Sequence, residues 1–318
     1  MELTEAINRL RTYVPPPTAY GDVPLNRRAA VLILLYADPN GELRVVITIR
    51  SKTLSSYAGE AALPGGKADT LDESPFQTAR REAWEEIGLS DIDQPLPAPF
   101  TVEHLCELPA NLAKTELVVR PCVALLHSFD EATGANADPE ISLIPKLDAR
   151  EVAAVFTARF ADFLRLRVES YDDGKDRGQG HGVDKDKDAD PGQWYRGSWS
   201  LWHHSNWRMH QFFVPVNERV VKPRGGGQSL SQQRAVEKLE AQEQSGLVQR
   251  YRVFGMTARI IVDAARVAYG REPEFEHNSH FGDEAMIAQL RRMGRLSARR
   301  QPSDELTREM MERAAKLS

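Results

Sequence analysis

The segment Ser55–Leu89 reads "SSYAGEAALPGGKADTLDESPFQTARREAWEEIGL". Its first part is small and nearly uncharged and ends in Pro64-Gly65-Gly66; its second part, Ser74 to Leu89, has the pattern of a helix that closes at Gly88. A helix turns about 100° per residue. Glu82, Glu85 and Glu86 then stand at i, i+3 and i+4, within one arc of about 100°. Phe76, Ala79, Ala83, Trp84 and Ile87 are expected on the side that meets the core. Like charges at i, i+4 cost a few tenths of a kcal/mol per pair, roughly. A hard divalent cation relieves that repulsion, and Mg²⁺ prefers carboxylate oxygens together with substrate phosphates. On spacing alone, three glutamates with Arg80 and Arg81 beside them also read as a solvated face with weak surface ion pairs. The Pro-Gly-Gly turn moves the reading toward a site, because glycine lets the backbone approach an ion or ligand closely.

Outward from this segment, "AAVLILLYA" (Ala29–Ala37) and "LRVVITIR" (Leu43–Arg50) read as two buried strands joined by an Asn-Gly hairpin turn. "TVEHLCEL" and "ELVVRPCVALL" read as two more, and "EVAAVF" opens another strand or a helix. Tyr171 to Trp194 is Gly, Asp and Lys with almost nothing apolar, which cannot bury enough surface to order itself. "GSWSLWHHSNWRMHQFFVPV" returns to strand character, and Val253–Gly270 reads as an amphipathic helix ended by glycine. The domain scheme is therefore a helical arm over 1–26 and one domain over 27–270, with an acidic insertion at about 171–194 and a loop at about 222–234. A polar helical tail follows over 271–318. Strands and helices mix without regular alternation, so the fold class is α+β.

The whole chain excludes several classes. Its 318 residues are 41% hydrophobic and 27% charged, as in a globular protein, and the formal net charge of −5 gives no field that would draw nucleic acid. Two cysteines make no disulfide framework and suit a reducing compartment. The longest apolar run is too short for a bilayer, and no signal-peptide core is present, so no membrane association is expected. His203, His204 and His210 lack a Cys or carboxylate at matching spacing and read as strand and loop histidines. The terminal Lys316-Leu317-Ser318 is not in the order of a peroxisomal address, which leaves an intracellular site, peroxisomal or cytoplasmic. A homodimer through the tail is open.

Gly66, Glu73, Arg81, Glu82, Glu85, Glu86, Gly88 and Leu89 together resemble the Nudix box, G-x5-E-x7-R-E-U-x-E-E-x-G-U, with U a bulky apolar residue. Two positions depart: Ala83 is small for U, and six residues rather than five separate Gly66 from Glu73. The preceding "LSSYAGEAALPGGKAD" (Leu54–Asp69) resembles the signature L-x-S-H-x-G-Q-V-x-F-P-G-G-x-x-D of the coenzyme A diphosphatase branch. Leu54, Ser56, Gly59, Pro64, Gly65, Gly66 and Asp69 match in place. That branch also has the longer spacing and the Ala, and its late "W-G-L-T-A" is similar to "VFGMTA" (Val253–Ala258). Tyr57, Glu60 and Leu63 depart from its His, Gln and Phe. The likeness covers roughly Arg27–Arg165 and Trp199–Gly270 and points to the fungal, peroxisomal type.

The resemblance implies a Nudix fold, an α/β/α sandwich around a mixed sheet. It implies a hydrolase that cuts the diphosphate of coenzyme A or its thioesters into adenosine 3′,5′-bisphosphate and the 4′-phosphopantetheine part. The implied cofactor is Mg²⁺ or Mn²⁺, held by Glu82, Glu85 and Glu86 with the Gly66 carbonyl. Arg81 is expected to orient a glutamate by an ion pair. Arg50, Lys52, Gly65, Lys67 and Arg81 are the candidate contacts to a small-molecule substrate. The general base is Glu85 or Glu151, a choice the sequence leaves open. Two other readings stand beside this one: a Nudix enzyme for oxidised nucleotides or dinucleotides such as NADH and ADP-ribose, and a Nudix-fold binding module without catalysis. The retained glutamates speak against the last.

Overall fold

Strand β1 (Arg28–Ala37) is a ten-residue run with almost no polar side chain, and it is buried on both faces. Such a run suits an interior strand with layers on either side. The computed structural model describes residues 2–50, 60–90, 96–137, 139, 143, 152–168, 193–202, 205–216, 220, 230–245, 249–299 and 307–316.

Strand β1 pairs in parallel with β7 (Val118–His127) over its whole length. On its other side it meets β2 (Leu43–Arg50) antiparallel, but only at Leu35–Ala37 against Leu43–Val45. The turn between them is set by Asp38, whose Oδ1 accepts from the N–H groups of Asn40 and Glu42 at 2.9 and 3.0 Å. Beyond the turn the two strands part. The short strands β3 (Ala61–Ala62) and β4 (Gly65–Lys67) fill the gap, β3 against Thr48 and Ile49 of β2 and β4 against Ala29–Val31 of β1. The Leu32 N–H donates to the Pro64 carbonyl in the same gap, at 2.8 Å. The Pro-Gly-Gly turn is thus a wedge in a splayed sheet, pinned on both sides by main-chain bonds. β5 (Thr101–Glu107) and β6 (Asn111–Leu112) add to β7, and β10 (Val152–Arg159) closes the far edge on β2. A small ribbon, β8 (Phe129–Asp130) with β9 (Ala135–Asn136), follows β7.

The faces of the sheet alternate as strand geometry requires. Leu32, Leu34 and Tyr36 of β1 face one side with Cys122 and Ala124, where they meet Ala79, Ala83 and Ile87 of helix α2 (Pro75–Ile87). Ile33 and Leu35 face the other side, packed with Ala6 and Leu10 of α1 (Glu2–Thr12) and with the apolar residues of a long helix from the C-terminal half. That half contributes a second sheet, β11 (Tyr195–Trp202), β12 (Ser205–Pro215) and β13 (Arg250–Phe254), with helix α3 (Leu230–Gln244) between β12 and β13. Helix α4 (Gly255–Tyr269) follows β13 directly. The result is an α+β sandwich with a mixed central sheet, as expected. Val253–Gly270 is not one helix, however. Val253 and Phe254 end the edge strand, and the helix starting at Gly255 is buried on nearly every side because sheet, α1 and C-terminal segment all pack on it.

The stretch after α4 is tied down by polar bonds. Tyr195 Oη lies 3.0 Å from His210 Nδ1, His210 Nε2 lies 2.8 Å from His277 Nδ1, and His277 Nε2 lies 2.9 Å from Asp263 Oδ1. This chain joins the second sheet, the segment around residue 277 and α4. Helices α5 (Glu284–Arg292) and α6 (Arg308–Ala315), within the segment read as a polar tail, form a third apolar cluster with Tyr20, Leu112 and Val118. Asp283 and Glu284 anchor them through the N–H groups of Leu112 and Ala110 and through Arg259 and Arg120. Among the described residues no helix is long and apolar enough to cross a membrane.

Candidate metal and substrate site

Helix α2 is fixed at both ends by its own sequence. Ser74 and Gln77 form a reciprocal capping box, Pro75 occupies the first turn, and Gly88 ends the helix in the left-handed conformation at φ 69°. These caps hold the helix in register against the wedge, so Glu82 and Glu86 meet the Pro-Gly-Gly turn. At Gly66 the approach is so close that a built Cβ would collide with the Glu82 carboxylate, so any larger residue would have to displace that side chain. Glu86 Oε2 accepts from the Gly65 N–H at 3.1 Å, and Glu86 Oε1 lies 3.8 Å from Arg50 Nη1.

The three glutamates form a gradient of access, with side-chain exposures of 8% for Glu86, 17% for Glu82 and 40% for Glu85. The expected split of the helix into core and acidic faces therefore needs two corrections. Glu86 is buried, because the wedge and Arg50 cover it with polar partners. Trp84 is exposed instead of facing the core. Burial pushes the Glu82 carboxyl up, only partly offset by Arg81, and the neighbouring Glu85 adds to the rise.

Arg81 is held in place by Glu73 and by the main chain of Lys67. Its Nε donates to Glu73 Oε1 at 2.8 Å and its Nη2 to the Lys67 carbonyl at 2.7 Å. Its Nη1 then lies 3.3 Å from both Glu82 and Glu85. Glu73 in turn accepts from the Asp69 N–H and the Thr78 hydroxyl. Burial alone would raise the Glu73 carboxyl; the Arg81 hydrogen bond, helped by the Asp69 N–H, brings it below its usual range. The same partners outweigh burial at Arg81 and raise its pKa. The signal for Glu73 was its box position, eight residues before Arg81.

Of the candidate substrate contacts, Arg50, Gly65 and Lys67 line one cleft of about 970 Å³, together with Gly66, whose carbonyl is the candidate metal ligand. Arg50 Nε is buried without a hydrogen-bond partner among the described residues, and Lys67 is exposed. Glu60 lines it too, its carboxyl raised by burial against the opposing pull of Arg252 and Arg50. Arg81 is turned to carboxylates and positions them. Lys52, Tyr57 and Glu151 lie outside the described residues, as do His203 and His204; His210 is buried and bonded as described above. A further wall of the cleft comes from β12 and the start of α4, with Trp207, Met209 and Met256. Nothing in the sequence around the box pointed to that wall.

The side-chain donors about this turn are all oxygen: the Glu82 carboxylate against Gly66, the Glu86 carboxylate on the Gly65 N–H, and the Glu85 carboxylate linked to Glu82 through Arg81. That set fits a hard cation such as Mg²⁺ or Mn²⁺ better than zinc or copper. Residues 26–167 match the NUDIX domain model. An uncharacterized Nudix hydrolase, NudL of Photorhabdus laumondii, is 34% identical over 184 residues, which span 58% of this chain and 85% of that one. The chain belongs to the Nudix hydrolase family. It is accordingly an enzyme of diphosphate bonds, and Nudix hydrolases generally use divalent metal ions. This Nudix chain is also 28% identical, over 92% of its length and 84% of the relative's, to peroxisomal coenzyme A diphosphatase 1 of Saccharomyces cerevisiae. It is 39% identical over 100 residues to peroxisomal coenzyme A diphosphatase ndx-8 of Caenorhabditis elegans, spanning 31% of this chain and 40% of that one.

Proposed function

We propose that this Nudix hydrolase cleaves the diphosphate of coenzyme A and its thioesters, giving adenosine 3′,5′-bisphosphate and the 4′-phosphopantetheine part. The observation that carries this is a cleft of about 970 Å³ lined by Arg50, Gly65, Gly66 and Lys67, the last three on a turn whose Gly66 meets the Glu82 carboxylate and whose Gly65 N–H is held by Glu86. A diphosphate with large groups on both sides needs that room. Similarity to two coenzyme A diphosphatases, one of them over most of both chains, supports the same substrate.

Glu82, Glu85, Glu86 and the Gly66 carbonyl would hold Mg²⁺ or Mn²⁺. When bound, the cation offsets the diphosphate's charge and acidifies the attacking water. The rest is the work of this chain's side chains. Glu73 and the Lys67 carbonyl aim Arg81, and Arg81 aligns Glu82 and Glu85. Arg50 and Lys67, on the cleft wall, draw in the diphosphate oxygens. Glu85, the most exposed of the three, takes the proton of the water that attacks one phosphorus; the bridging P–O bond breaks and the other phosphate leaves. Positioning and charge neutralisation supply most of the rate in such displacements. The name of the yeast relative favours a peroxisomal location.

Incubation with Mg²⁺ and a panel of coenzyme A, NADH, ADP-ribose and 8-oxo-dGTP tests the reading. Coenzyme A should have the highest kcat/KM. If it is the poorest of the four, the enzyme belongs with the nucleotide and dinucleotide hydrolases instead.

A further inference from the structure

A diphosphate seated at Gly65–Lys67 must send one of its two substituents along the cleft those residues line. The cleft is at the upper end of the range for small-molecule sites, far more than a diphosphate and its cation fill. What the rest of the lining offers decides which substituent enters. Trp207 and Met209 of β12 and Met256 and Ile260 of α4 belong to it, with Val119 and Leu112 from the first sheet. Strand alternation explains why the wall is apolar. Arg208 and His210, the residues between and after Trp207 and Met209, turn to the opposite face, where they meet Glu276 at 3.2 Å and His277 at 2.8 Å. The charged side of β12 is thereby occupied by the C-terminal segment, and its apolar side is left to the cleft. Arg259, which also lines the cleft, is already paired with Asp283 at 3.0 Å. Two methionines suit a flexible aliphatic chain of variable length, since the unbranched thioether adapts its shape to what it packs against.

Resting on the coenzyme A reading above, we propose that the wall formed by Trp207, Met209 and Met256 binds the acyl-pantetheine arm. The enzyme then selects thioesters by acyl length. A nucleotide arm would call on Lys114, which lines the cleft as well, for the 3′-phosphate; that is the outcome set against this one.

The test measures kcat/KM for coenzyme A, dephospho-coenzyme A, and acetyl-, hexanoyl- and decanoyl-coenzyme A on the full chain. Each buried methylene favours binding, so kcat/KM should rise about tenfold or more from acetyl to decanoyl, mainly through KM. In Met209→Gln, and separately in Met256→Gln, that decanoyl-to-acetyl ratio should fall at least about threefold. A ratio taken within one preparation does not depend on how much of it is folded. A flat response to chain length, or a ratio unchanged in both variants, overturns the proposal while leaving the coenzyme A reading intact. So does a change in the coenzyme A to dephospho-coenzyme A ratio in its place, which would put the nucleotide against this wall. If no coenzyme A species is cut and ADP-ribose is, the reading beneath it fails as well.

Discussion

At Gly66 the main chain runs against the Glu82 carboxylate, and at Gly65 its N–H is held by Glu86. Two substitutions separate these roles. Gly66→Ala should displace Glu82 and lower hydrolysis more than about tenfold, with the thermal transition little changed, since the added methyl strikes the end of a flexible side chain and not the core. Glu86→Gln keeps an acceptor for Gly65 but removes the charge. Mn²⁺ affinity by calorimetric titration should drop at least about tenfold; a loss within about threefold would count against Glu86 as a ligand. The three glutamates were legible because their spacing is local, set by one helix turn. Their division into buried Glu86 and exposed Glu85 was not. It depends on Arg50 and Gly65, which reach the helix from a strand and a turn earlier in the chain.

Each element adds its own constraint. Helix α2 was readable to within a residue at each end because capping is written in neighbouring residues, Ser74, Gln77 and Gly88. Gly88→Ala forces a side chain into left-handed backbone and should cost about 1 kcal/mol in chemical denaturation. The second sheet makes a different prediction. Burial, with His277 and Arg208 alongside, pushes the His210 imidazole down to about 2. An unfolded histidine titrates near 6.5, roughly. Between those values the unfolded chain takes a proton that the folded chain refuses, so acid favours unfolding. Stability should fall by up to about 1.4 kcal/mol per pH unit below that point. Urea midpoints at about pH 7, 6 and 5 check this; His210→Phe should have a shallower pH slope than the parent, and equal slopes would remove His210 as the cause. Sequence placed His210 on a strand correctly. Its partners His277 and Asp263 come from segments far along the chain, which spacing does not join.

Over the whole molecule, two layers of chain meet at one cleft. The first half brings the wedge to the cleft and sets the glutamates of α2 against it, and both follow from a contiguous stretch of thirty-five residues that the sequence displays openly. The second half brings the apolar wall, and it becomes visible only when β12 and α4 are folded over the first sheet. The late segment Val253–Ala258 straddles that junction, ending a strand and starting a helix, which is why helical periodicity alone misjudged it. The central claim is that this assembly breaks the diphosphate bridge of coenzyme A. The most direct measurement is mass analysis of the products formed from coenzyme A and Mg²⁺ in water enriched in heavy oxygen. Adenosine 3′,5′-bisphosphate and 4′-phosphopantetheine in equal amounts, with heavy oxygen in the new phosphate oxygen of one of them, is the predicted result. Coenzyme A left intact under conditions where ADP-ribose or 8-oxo-dGTP is consumed would contradict it.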